Sequence, residues 1–102
     1  VFQPHRYSRI KQLKKQFASS FILSDVVLLC PIYAAGEKKD NSYDSNNFAK
    51  LIANQSKVQV INIKNELDLD RYFKKNLISD EIIIGMGAGS ISKWIRDLKN
   101  KL

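Results

Sequence analysis

The run Val26-Val27-Leu28-Leu29-Cys30-Pro31-Ile32 is apolar at almost every position. A strand with one wet face alternates apolar and polar residues. A strand without that alternation needs cover on both faces, which implies a parallel sheet between helices. Pro31 must stand at the strand's end, since it has no N–H to give to a ladder. The rest of the chain repeats this theme. Val1 to Pro4 reads as the end of a strand, and Ile10, Leu13, Phe17 and Phe21 then recur at helical spacing behind Ser8, a candidate N-cap. Asp44 or Ser45 can cap a second helix with Phe48, Leu51 and Ile52 as its stripe. Val58, Val60, Ile61 and Ile63 read as a third strand, and Leu69, Tyr72, Phe73 and Leu77 as a short helix after Asp68. Ile82-Ile83-Ile84 reads as a β-branched fourth strand. Ile91, Trp94, Ile95, Leu98 and Leu102 share one side of a last helix. This alternation predicts an α/β fold: a Rossmann-like three-layer sandwich, its sheet mostly parallel, with helices on both faces. Four strands are few for that architecture, so an exposed edge and modest stability are expected with it.

At 102 residues the chain is one domain, and its 44% hydrophobic content is that of a folded protein. No window approaches the ~18 apolar residues of a membrane span, and Val1-Phe2 does not open a signal peptide. A start without methionine, inside a strand, suggests a piece of something longer. Cys30 is the only cysteine, which excludes an internal disulfide and fits a reducing cytoplasm. Its apolar neighbours make it a core residue, not a nucleophile. The net charge of +7 raises a rival reading, a small basic nucleic-acid-binding α/β domain. The lysines, however, are spread over all four helices and their loops with no run longer than two, which favours a solvated surface.

In an open parallel sheet, ligands bind beyond the strand C-termini. Three segments meet on that rim: His5, Arg6, Tyr7 and Arg9 after the first strand, Tyr33 to Glu37 after the second, and Gly85 to Ser90 after the fourth. Arg6 and Arg9 are three apart at a helix entrance, where their guanidinium forks and the first-turn N–H groups could engage one anion. The alternative is a pair of surface salt bridges worth ~0–1 kcal/mol. His5, the only histidine, has no partner at zinc spacing, so no protein-built metal site is expected. It suits hydrogen bonding to a substrate anion or nearby backbone. The glycines at 85, 87 and 89 match neither a dinucleotide fingerprint nor a Walker loop; a tight turn and close helix–strand packing explain them better. Tyr33, Glu37, Gly87, Gly89 and Ser90 are the candidate crevice lining.

Three runs in order carry a family resemblance: Phe2-Gln3-Pro4-His5-Arg6-Tyr7-Ser8-Arg9, Tyr33-Ala34-Ala35-Gly36-Glu37 and Met86-Gly87-Ala88-Gly89-Ser90-Ile91. Together they resemble the C-terminal domain of the Mur ligases, in the branch that joins L-alanine to UDP-N-acetylmuramate. The sequence departs from that pattern at Ile10 and Lys11, where threonine and arginine are usual, and at Pro31-Ile32, where an acid usually precedes the second run. The resemblance implies that residues 1–102 are one domain of a three-domain cytoplasmic enzyme of peptidoglycan synthesis, and so of cell shape and division. It implies ATP and Mg2+ as cofactors, bound mainly by a central domain, with the nucleotide-sugar held by an N-terminal domain. The muramoyl carboxylate would be phosphorylated by ATP, and the alanine amine would displace phosphate from the acyl phosphate. His5, Arg6 and Arg9 would then be this domain's contribution toward the alanine carboxylate and the reacting anions. On its own the chain is expected to be monomeric and inactive, with no nucleic-acid or membrane partner.

Overall fold

The structure is a computed structural model that describes residues 1–102. Four helices and a two-stranded parallel sheet make it an α/β chain, in the order α1 (Tyr7–Ala18), β1 (Val26–Leu29), α2 (Ser45–Ser56), β2 (Gln59–Asn62), α3 (Glu66–Asn76) and α4 (Ile91–Leu98). β1 and β2 pair from Val26 with Gln59 to Leu29 with Asn62. The expected first and fourth strands form no ladder, which corrects the four-stranded sheet read from the sequence. Each makes isolated bridges instead, Phe2 with both Leu29 and Met86. The Phe2 N–H donates to Leu28 O at 2.8 Å and Phe2 O accepts from Cys30 N at 2.9 Å; on the other side, Gln3 N donates to Met86 O at 2.9 Å. Four extended segments therefore lie side by side and parallel, in the order 59–62, 26–29, 1–3 and 84–86. The ladder stops early because Pro4 has no N–H and because the fourth segment bonds only at its end, through Ile84 O and Met86. Ile82 is left 87% and Ile84 62% exposed.

Successive side chains of β1 point to opposite faces, and each face has its own core. Val27 and Leu29 join Phe2, Ile10, Ala18, Phe21, Phe48, Ile52 and Val58, so α1 and α2 cover this side. Leu28 and Cys30 join Ile63, Leu69, Phe73, Ile91 and Leu98, so α3 and α4 supply the other. Full burial of side chains such as Phe48 and Leu69 contributes ~1.5–3 kcal/mol each.

The helix ends follow local chemistry. α1 does not continue to Phe21. The Ser19 hydroxyl donates to Lys15 O, the Ser20 hydroxyl to Gln16 O, and Ser56 of α2 donates to Ala18 O while accepting from Phe21 N. Phe21 is still buried, from the following turn. Asp44 caps α2, accepting from Asn46 N and Asn47 N. Asn65 caps α3 by accepting from Asp68 N, so this helix starts before Asp68, not after it. α4 ends at Leu98, and Leu102 is exposed beyond it.

Candidate functional site

The parallel direction of the four segments carries their C-terminal ends to one rim, and the three expected pieces of chain meet there. His5 bridges Tyr33: Arg6 N donates to Tyr33 O and Tyr33 N to Pro4 O, both at 2.8 Å. The imidazole stacks on the Tyr33 ring, with centroids 5.6 Å apart and planes 14° apart. His5 Nδ1 is buried without a hydrogen-bond partner. The glycine turn lies against the same ring, since a Cβ on Gly89 would come within 2.5 Å of Tyr33 Cγ. One on Gly87 would come within 2.7 Å of Ile91 Cγ2. These two positions need glycine for close approach, as expected of a packing turn.

The entrance of α1 differs from expectation. Ser8 lies inside the helix; Arg6 is the N-cap residue, with φ 67° and no side-chain cap bond. The cap comes from another rim segment, as Glu37 accepts from both the backbone N–H and the hydroxyl of Ser8. These Ser8 bonds, hydroxyl first, hold the Glu37 carboxyl below its ordinary pKa. The helix entrance thus already holds a carboxylate, and the anion attraction expected of its N–H groups is partly satisfied within the chain. The guanidiniums remain. Arg6 and Arg9 are exposed and neither forms an ion pair; the three in the molecule are Lys93–Asp97, Lys101–Glu66 and Lys101–Asp70.

Gln3 is the rim residue that sequence reasoning passed over. It is only 3% exposed. Its amide nitrogen donates to Pro31 O at 3.2 Å and to Ser90 Oγ at 2.9 Å, and its Oε1 accepts from Ile91 N at 3.1 Å. The available signal was an amide between Phe2 and Pro4, in a segment otherwise destined for the core.

Cys30 is buried, and burial pushes its thiol up to about 11, which suits the core role and not a nucleophile. No three His, Cys, Asp or Glu side chains gather closely enough to hold a metal ion. No helix is long and apolar enough to cross a membrane. The lysines on α1, α2, α3 and α4 are all exposed, and they gather on no single element. A cavity of about 570 Å³ lies away from the rim at the start of the extended segments. Val1, Phe21, Leu23, Val26, Ile82 and Ile84 help line it. With a mainly apolar wall and none of the rim's arginines, histidine or glycine turn, it is a poor candidate for anion chemistry.

No family model matches the chain. Curated relatives do. The chain is 49% identical over 98 residues to the UDP-N-acetylmuramate–L-alanine ligase of Pelagibacter ubique, a match covering 96% of this chain and 21% of that protein. It is 39% identical over 102 residues to the ligase of the same name from Fusobacterium nucleatum, covering 100% of this chain and 21% of the relative. The one from Prochlorococcus marinus strain NATL1A is 34% identical over 108 residues, covering 100% and 22%. The chain therefore spans about a fifth of the length of these relatives.

Proposed function

We propose that this chain, a homologue of the Mur ligases over nearly its whole length, is the C-terminal domain of an ATP-dependent ligase joining L-alanine to UDP-N-acetylmuramate. The observation that carries the reading is the meeting of the three motif runs on one rim, tied through His5–Tyr33 and Glu37–Ser8. The family resemblance read from those runs agrees with the names of the relatives, none of which points to nucleic acid.

In this reading the nucleotide and its magnesium supply the phosphoryl group that activates the muramoyl carboxylate, and both are held mainly outside this chain. The domain closes over the site from the cytoplasmic solvent. Arg6 and Arg9, unpaired within the chain, meet the alanine carboxylate and the reacting phosphate oxygens. Exposed guanidiniums gain most once closure removes water, because the same charge pair is stronger in a lower dielectric. His5 is held by stacking on Tyr33 and hydrogen-bonds a substrate anion. The domain contributes position and charge, with no covalent step of its own. The two cores on opposite faces of β1 support the three-layer arrangement, on a narrower sheet than the architecture usually carries.

The test is phosphate release. With ATP, magnesium, UDP-N-acetylmuramate and L-alanine, residues 1–102 alone should release none above a heat-killed control, and a ligase containing this domain should form the alanine amide. Turnover by the 102-residue chain would overturn the division of labour.

A further inference from the structure

Ser90 stands at the N-cap of α4 but makes no cap bond to its own helix. Its hydroxyl accepts from Gln3 instead, and Gln3 Oε1 takes over the capping by accepting from Ile91 N. The same amide group donates to Pro31 O, just before Tyr33, and the Gln3 backbone donates to Met86 O. Gly87 and Gly89 are pressed against it: an added Cβ would lie 3.1 Å from Gln3 O in one case and 2.9 Å from Gln3 Oε1 in the other. One side chain therefore bonds both other rim segments while standing two residues from His5.

We infer that Gln3 is a positioning residue, whose buried carboxamide latches the glycine turn, α4 and the Tyr33 segment to the strand end that carries His5, Arg6 and Arg9. The three segments then meet a ligand as one preassembled body. This role rests on the ligase reading; the latch itself does not. A buried amide that loses its partners strands a donor or acceptor, so the network opens as a unit.

Hydrogen exchange on the 102-residue chain tests the latch. In Gln3→Met, amide exchange at Ile91 and Met86, the two amides of the glycine turn that donate hydrogen bonds, should quicken about tenfold, while Phe48–Ile52 and Leu69–Phe73 keep their protection. Unchanged exchange at Ile91 would overturn the latch. If Gln3→Met accelerates exchange everywhere, Ser90→Ala, which removes one bond, carries the same test. Gln3→Glu gives a second signature. Its protonated carboxyl keeps the acceptor for Ile91 and offers one O–H, so rim protection relative to the unsubstituted chain should return as pH falls; a pH-independent ratio refutes the latch. In a ligase carrying this domain, Gln3→Met should lower kcat/KM for L-alanine about tenfold through KM, leave KM for UDP-N-acetylmuramate unchanged, and add little once Arg9→Ala is present. A loosened rim with unaltered alanine kinetics sinks the positioning role and leaves the latch standing. Unaltered alanine kinetics in Arg9→Ala sink the arginine assignment instead, and failure of a protein carrying this domain to form the alanine amide sinks the ligase reading.

Discussion

The extended segments are held differently at their two ends. At the rim they are cross-tied by polar groups: Gln3 to Pro31, Ser90 and Ile91, Glu37 to Ser8, and Tyr33 to Pro4 and Arg6. At the other end apolar side chains predominate, with Asp25, Asp80 and Glu81 among them. Leu23 is 99% exposed, Ile82 and Ile84 line an open groove, and Val1 N holds Ile84 O at 2.7 Å. Apolar burial decides which segments lie together, but it is non-directional. Hydrogen bonds decide what those segments present, because they fail beyond a few tenths of an ångström. A ligand-binding edge needs the second kind of order.

The largest effect that could break this contrast concerns Arg9. A bidentate arginine–anion contact that becomes desolvated on closure is worth ~2–4 kcal/mol in the transition state. In a ligase carrying this domain, Arg9→Ala should lower kcat/KM for L-alanine by ~10²–10³, and Arg6→Ala should act similarly. Lys14→Ala, further along α1, should be nearly silent. Stability should hardly move, since both arginines are exposed and unpaired. Normal alanine kinetics in both arginine variants would reduce the rim to a packing feature.

What the sequence made legible follows the same division. The apolar stripes of Phe48 and Ile52 and of Leu69 and Phe73 located two helices and their buried faces, because periodic burial is written in residue type. Convergence of the three rim segments followed from parallel strands alone. Strand extent did not: Ile82-Ile83-Ile84 has ideal β composition, yet the bridge to its neighbouring segment falls on Met86. The caps on α1 and α4 were equally hidden. Glu37 and Gln3 come from 29 and 88 positions away, and no local window contains both partners.

A smaller effect tests how tightly the rim is closed. Gly89→Ala would drive a methyl into Tyr33 and Gln3 Oε1 and should cost ~1–3 kcal/mol, measured by denaturant unfolding. Gly36 faces open space but has φ +88°, so Gly36→Ala should cost only the backbone penalty of ~1 kcal/mol. Equal costs would mean that the glycine turn is not pressed against its neighbours.

Glu37 supplies a pH-dependent test of the same end. Its carboxyl is held below the ordinary 4.5 in the folded chain, so the unfolded chain binds the proton more readily. Its contribution is therefore present above 4.5 and fades as pH falls through the lower folded value. Glu37→Gln should remove that part of the acid sensitivity, seen as a flatter dependence of the unfolding midpoint on pH. An identical acid profile in the variant would dissociate Glu37 from the capping of α1.

The smallest expected effect lies at the apolar end. Ile82 is 87% exposed and belongs to no ladder, so little transfer energy is invested in it. A lysine there can lay its methylenes along the groove wall and keep its ammonium in water. It would also discourage pairing between copies along the unladdered edge. Ile82→Lys should therefore change unfolding free energy by no more than ~0.5 kcal/mol and lower any concentration-dependent association seen by sedimentation. Val27, by contrast, is 2% exposed in the adjoining strand, and a lysine at that position would bury an unpaired charge and unfold the chain. A cost for Ile82→Lys near that of a core substitution, ~2–5 kcal/mol, would show the isoleucine segment to be integral to the core. The two ends would then be equally ordered, and the contrast between polar ties and apolar contact would fail.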